Sequence, residues 1–168
     1  GWLGLPLAEH LLSLGHGVKG SKTSVEGIAD LNNRGIEGHQ FQLNPELECD
    51  SIEALLDAQV LVVNIPPRRR DDIETFHLKQ MEALVAAVAD SPVKKVVFVS
   101  STSVYPPLNR EVTEADKQPA DKPSGRVLQA VEQLWKSQQN LDVTVVRFSG
   151  LIGGERLPGR FLSGKRAL

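Results

Sequence analysis

Lys95-Val96-Val97-Phe98-Val99-Ser100 decides how the rest of this chain is read. Four consecutive β-branched or aromatic residues without polar alternation describe a strand covered on both faces, as in a parallel sheet flanked by helices. Two runs of the same kind lie on either side of it, Gln59-Val60-Leu61-Val62-Val63-Asn64 and Asp142-Val143-Thr144-Val145-Val146-Arg147. Stretches with helical spacing separate them. Over residues 72–89, Ile73, Phe76, Met81, Leu84, Val85 and Val88 form an apolar stripe, and Asp71 and Asp72 stand at its start, where carboxylates favour the helix dipole. Over residues 124–138, Val127, Leu128, Val131, Leu134 and Trp135 make one face against Arg126, Glu132 and Lys136. Further helices are expected over residues 5–14, 24–33 and 51–56. Two weaker, partly polar strands, Gly17-Val18-Lys19-Gly20 and His39-Gln40-Phe41-Gln42-Leu43, suit the edge of a sheet. Strands alternating with helices predict a parallel α/β fold. The one long connection, residues 106–123, is of a length that is more often functional than idle.

A chain of 168 residues suits one domain. With 40% hydrophobic and 24% charged residues it has the composition of a folded protein, not of a disordered tail. Nineteen basic against 21 acidic side chains give a net charge of −2, so no broad cationic field exists and nucleic acid is not an expected partner. No apolar run approaches the ~18 residues of a membrane span and no signal segment opens the chain, so a cytoplasmic location without membrane contact is expected. Cys49 is alone, and His10, His16, His39 and His77 have no metal-ligand spacing, so no metal is expected. A Ser-His-Asp hydrolase is disfavoured, because Ser101 lacks the glycines of a nucleophile elbow and no histidine follows His77.

Gly1-Trp2-Leu3-Gly4, placed just before the first helix, has the spacing of the second and third glycines of a G-x-G-x-x-G turn. Such a turn lets main chain approach a diphosphate that rests on the helix N-terminus. Paired glycines also occur in turns that hold nothing. The first glycine and the strand before it would lie upstream of residue 1, so the chain is expected to be a fragment whose first strand is missing. After the first weak strand comes Ser21-Lys22-Thr23-Ser24, with no acid to accept both ribose hydroxyls. A lysine among hydroxyls suits a 2′-phosphate, which favours NADP(H) and leaves NAD(H) open. The plain alternative is a solvated Lys22 and a Ser24 that only caps the next helix.

Val99-Ser100-Ser101-Thr102-Ser103-Val104-Tyr105 resembles the extended short-chain dehydrogenase/reductases, the class of nucleotide-sugar epimerases and dehydratases, in which the fifth strand ends Ser-Ser-x-x-Val-Tyr. Gly1-x-x-Gly4, the strand ending Asn64-Ile65-Pro66-Pro67, and Arg147-Phe148-Ser149-Gly150-Leu151-Ile152-Gly153 occur in the family's order. The resemblance implies a single NAD(P)-binding Rossmann domain over residues 1–168, a doubly wound parallel sheet of order 3-2-1-4-5-6, with a sugar-binding region after Leu168. It implies cofactor contacts at Gly1, Trp2, Leu3, Gly4, Ser21, Lys22, Ser24, Ile65, Pro66, Pro67 and Ser100. Ser101 takes the place of the serine that polarises the substrate oxygen, with Thr102 and Tyr105 as candidate partners. Counting back from Glu132, the family's catalytic Tyr and Lys fall on Ser124 and Leu128. Neither can do that work, since leucine has no charge and a serine hydroxyl is a far weaker acid than a phenol of pKa about 10.

Ser124-Gly125-Arg126 is instead similar to an atypical bacterial branch in which Ser-Gly-Arg opens this helix. Arg126, Arg156 and Arg160 are candidate contacts for a phosphate-bearing small-molecule substrate, against the alternative of a solvated helix start and a polar loop. Pro66-Pro67-Arg68-Arg69-Arg70 also offers cations, partly offset by Asp71 and Asp72. Two functions follow: an NAD(P)-dependent epimerase/dehydratase or reductase, an oxidoreductase-like enzyme acting on a nucleotide-sugar-like substrate, or a non-catalytic dinucleotide sensor. A homodimer stays open.

Overall fold

A computed structural model describes residues 1–154, 156, 157, 159 and 164. Its elements, in chain order, are α1 (Gly4–Ser13), β1 (Lys19–Lys22), α2 (Val25–Asn33), β2 (Glu37–Leu43), β3 (Leu47–Cys49), α3 (Ile52–Leu56), β4 (Val60–Val63), α4 (Ile73–Ala89), β5 (Lys95–Ser101), a 3-10 turn (Thr102–Val104), α5 (Pro123–Lys136) and β6 (Asp142–Phe148). The three apolar runs form one parallel sheet, with Val63 beside Phe98 and Phe98 beside Val145. On β5 the side chains alternate, so Val96, Phe98 and Ser100 are buried on one face. There Val96 and Phe98 join Met81, Leu84 and Val88 of α4 and Val127, Leu128, Val131 and Trp135 of α5 in one core. Each fully buried side chain of this kind contributes about 1.5–3 kcal/mol relative to exposure, which fixes both helices against the sheet.

The remaining strands form a second group, in which β1 runs parallel to β2 and β3 folds back antiparallel to β2. The orders β2-β1 and β4-β5-β6 are the two flanks of the 3-2-1-4-5-6 Rossmann arrangement, and among the described residues no strand lies between β1 and β4.

Three expectations need correction. The first strand lies two residues further on than its pattern suggests, so Ser21 and Lys22 end it and do not follow it. Pairing decides this: Lys19–Lys22 match Glu37–Gln40, and Lys19 Nζ donates to Ala54 O at 2.6 Å, anchoring the strand start. The short β3 hairpin was not expected, being three residues closed by a turn in which Asn44 N–H donates to Glu46 O at 2.9 Å. Glu132, expected on the solvent face of α5, is 1% exposed because it has partners on two strands.

Candidate functional site

Parallel strands end on a common edge, β1 at Lys22, β4 at Val63, β5 at Ser101 and β6 at Phe148, and in open α/β sheets ligands collect outside that edge. The turn opening α1 belongs to it. Helical hydrogen bonding begins with Leu5 N–H donating to Gly1 O at 3.0 Å, so the amides of Trp2, Leu3 and Gly4 have no partner within the helix. No side chain caps α1, and a Cβ at Gly1 or Gly4 would meet nothing within 4 Å, so the turn is open to an acceptor.

Two cations from distant parts of the chain reach this turn. The Lys22 ammonium comes within hydrogen-bonding reach of the Gly1 main chain, at the mouth of the turn. The Lys22 stem lies along Gly27, where a Cβ would come within 3.0 Å of it, so a glycine there sets the course of the side chain. Arg156 stacks on Trp2, 4.6 Å from the ring centroid. It is held there by paired main-chain bonds with Gly153, at 2.9 and 3.2 Å. Gly153 and Gly154 make that tight return at φ of +137° and +51°, the left-handed region that favours glycine. Arg156, expected at the substrate, thus sits beside the glycine turn. Arg160 lies outside the described residues.

Past β5 the chain is fixed by a network joining three elements. Ser100 Oγ donates to Glu132 Oε1 at 2.6 Å, Arg147 Nε donates to the same oxygen at 2.9 Å, and Arg147 Nη1 donates to Tyr105 Oη at 2.7 Å. The Glu132 carboxylate, and secondarily Tyr105, push the Arg147 guanidinium above its already high pKa, so the cation is held. A carboxylate this deep is tolerable only with such partners. Of the expected site residues, Ser100 thus donates its hydroxyl to Glu132, and the Tyr105 oxygen accepts from Arg147. Ser101 remains at the strand end, half-buried, its Oγ accepting from Ser103 N–H at 3.1 Å, while Thr102 is exposed at the start of the 3-10 turn.

Helix α5 locks this turn. A Cβ at Gly125 would fall 2.2 Å from Ser103 O, so only glycine lets the helix approach the main chain there. Gln129 completes the lock, donating to Val104 O at 2.9 Å and Gln118 O at 2.7 Å and accepting from Ala120 N–H at 3.1 Å. At the positions of the family's Tyr and Lys, Ser124 is half-buried at the helix start and Leu128 is in the core. Arg126 is engaged internally, with Nη2 donating to Glu74 Oε1 at 2.7 Å and Nη1 to Asp121 O at 2.7 Å. Of the other cofactor candidates, Ser21 is exposed, Ser24 Oγ caps α2 by accepting from Gly27 N–H at 3.1 Å, and Ile65, Pro66 and Pro67 leave β4 at the same edge, Ile65 packing on the core. Among the described residues no group of His, Cys, Asp and Glu could hold a metal, and no helix is long and apolar enough to cross a membrane.

A parallel sheet whose strand ends meet an open glycine turn, with free amides and two converging cations, defines a dinucleotide-binding α/β protein. The profile of the NAD dependent epimerase/dehydratase family matches residues 1–166, and the chain belongs to that family. Protein YeeZ of Escherichia coli K12 is 38% identical over 169 residues, which is 99% of this chain and 62% of YeeZ. The chain therefore spans less than two thirds of that relative. Two solved structures share the fold. A provisionally named NAD-dependent epimerase/dehydratase of Methylobacillus flagellatus is 24% identical with a TM-score of 0.63, over 96% of this chain and 55% of its own. A UDP-glucose-4-epimerase from Stenotrophomonas maltophila, solved with bound NAD and formylated UDP-arabinopyranose, is 21% identical with a TM-score of 0.64, over 86% of this chain and 48% of its own. The family's cofactor is a nicotinamide dinucleotide, and the free amides and cations at the glycine turn fit its diphosphate.

Proposed function

We propose that the protein binds NADP(H) in preference to NAD(H) and acts in the cytoplasm as an epimerase/dehydratase or reductase on a phosphate-bearing, nucleotide-sugar-like small molecule. The observation carrying this reading is the convergence of Lys22 and Arg156 on the unpartnered amides opening α1. Amides of Trp2, Leu3 and Gly4 accept the diphosphate, Arg156 neutralises it from above Trp2, and Lys22 at the end of β1 pairs with a 2′-phosphate without an acid to oppose it. Bound there, the nicotinamide supplies a hydride acceptor and donor. Ser101, steadied by the Ser103 amide, holds the reacting oxygen of the substrate at the end of β5. Tyr105 is a positioning residue, because its hydroxyl is fixed on Arg147.

A second reading, a non-catalytic cofactor sensor, is favoured by one observation: Leu128 is packed in the core where catalytic relatives carry lysine. Calorimetric titration of wild type and Lys22→Ala with NADPH and NADH tests the cofactor assignment. NADPH should weaken about tenfold or more in the variant and NADH by clearly less, as loss of a charge-assisted contact to the 2′-phosphate demands. Equal affinities of wild type for both nucleotides, or equal losses, would refute it. Conversion of any nucleotide sugar in a product assay then selects the enzyme, and binding without conversion selects the sensor.

A further inference from the structure

The connection from the 3-10 turn to α5 leaves the strand-end edge and returns to it, running from Tyr105 to Lys122 without a glycine. Both of its ends are fixed. Val104 and Ala120 are buried, at 1% and 3% exposure, and the Gln129 amide bonds Val104 O, Gln118 O and Ala120 N–H at once. Because Val104 O and Gln118 O share one nitrogen, the two ends lie side by side. Tyr105 is tied in addition to Arg147. Between these anchors the bonding turns inward. The Arg110 guanidinium donates to both carboxylate oxygens of Asp116 and, at 2.7 Å, to Glu111 O. Thr113 N–H donates to Asp116 Oδ2 at 2.8 Å, and Asp116 N–H donates back to Thr113 O at 3.1 Å. Arg110, and next the Thr113 amide, hold the Asp116 carboxyl below its usual pKa, so it stays an acceptor. Among the described residues no hydrogen bond or ion pair joins residues 106–117 to any other element, and no residue of that stretch is buried. Pro106, Pro107 and Pro119 stiffen its ends. A surface segment with adjoining ends that is bonded to itself is an Ω-loop, and a segment with few buried contacts opens locally well below the free energy of global unfolding.

We propose that residues 106–117 are a flap that swings as one body at the strand-end edge and gates access to Ser101, with Gln129 clamping its two ends and the Arg110–Asp116 pair stapling it internally. Ser101 keeps its place as the flap moves, because its turn is held separately by the Ser103 amide and by the close approach of α5 at Gly125. A flap of this kind admits substrate and then keeps water from the reacting centre. The proposal rests on the reading above only in taking Ser101 as the substrate contact.

Two measurements on the full chain without nucleotide test it. Residue-resolved hydrogen exchange by NMR follows the Thr113, Asp116 and Ala120 amides against those of β5. Arg110→Ala should raise exchange at Thr113 and Asp116 together by about tenfold or more, and Gln129→Met should do so at all three, with β5 changing by a clearly smaller factor. A rise at one amide alone, or an equal rise in β5, means that no separate body exists and overturns the flap. Arg110 has partners only within the lobe, so its variant still reads the flap if Gln129→Met does not fold. For the gate, Ser101→Cys in a Cys49→Ser background is labelled with a small thiosulfonate reagent. Adding Arg110→Ala should speed labelling about fivefold or more, and an unaltered rate overturns the gate. Neither measurement needs bound nucleotide or a known substrate, so the cofactor and substrate readings can fail while the flap stands, and the reverse.

Discussion

Replacing Gly125 by alanine sets two physical effects of opposite sign against each other. Helix propensity alone favours alanine over glycine in a helix by about 1 kcal/mol. Packing opposes it. The added Cβ would stand 2.2 Å from Ser103 O and 2.7 Å from the Ala120 Cβ, and the first of these is main chain. Ser103 cannot easily withdraw, because its amide is bonded to Ser101 Oγ and the next carbonyl, of Val104, is held by Gln129. Relief requires α5 to retreat from the sheet, loosening Val127, Leu128 and Val131 together. Overpacking by a methyl group against unyielding structure costs about 3 kcal/mol at the upper end of the usual range, leaving a net loss near ~2 kcal/mol after the propensity gain. For a chain of this size that lowers Tm by roughly 4–8 °C. Urea and thermal unfolding, followed by the fluorescence of buried Trp135, measure it. A Gly125→Ala protein as stable as wild type, or more stable, would mean that α5 does not press on the Ser103 carbonyl and that the lock on Ser101 described here is wrong.

Glu132→Gln removes the charge opposing Arg147 while keeping the shape, and should cost about 3–5 kcal/mol, read as a shift in urea midpoint; a loss under ~1 kcal/mol would show the pair to be solvated. Tyr105→Phe loses one hydrogen bond from a guanidinium and should cost about 1–2 kcal/mol in stability while leaving turnover unchanged, whereas a large fall in turnover without one in stability would make the phenol a catalytic acid. Burial, outweighing the hydrogen bond that His77 Nδ1–H donates to Gln80 Oε1, holds the His77 pKa below its ordinary value, so the folded protein keeps this imidazole neutral. The unfolded chain then binds the proton first, and stability is full above about pH 6.5 and falls as pH drops below it. His77→Leu should flatten that decline between pH 7 and 5.5 in thermal unfolding, and an unaltered slope would remove His77 as its source.

Strands β4, β5 and β6 were legible because their apolar runs are continuous, and α4 and α5 because their stripes are long. Register is a different matter. Val18-Lys19-Gly20-Ser21-Lys22 carries no periodic signal, and only its pairing with Glu37–Gln40, supplied by a separate element, fixes where the strand lies. Glu132 was misplaced for a related reason. Its partners are 15 and 32 residues away, so the local pattern of α5 shows a charge among polar neighbours. One signal did exist: Arg147 interrupts the apolar run Val145-Val146-Arg147-Phe148, and a cation in a covered strand requires a buried acid. The turn that opens α1 was readable from the spacing of Gly1 and Gly4. The stacking of Arg156 on Trp2 was not legible, because it joins residues more than 150 positions apart, a proximity that no local pattern records.

The hydrogen bonds from Ser100 and Arg147 to Glu132, and from Arg147 to Tyr105, tie β5, β6, α5 and the loop after the 3-10 turn into one polar unit, so a change at any one of these four side chains is transmitted to the strand end that carries Ser101.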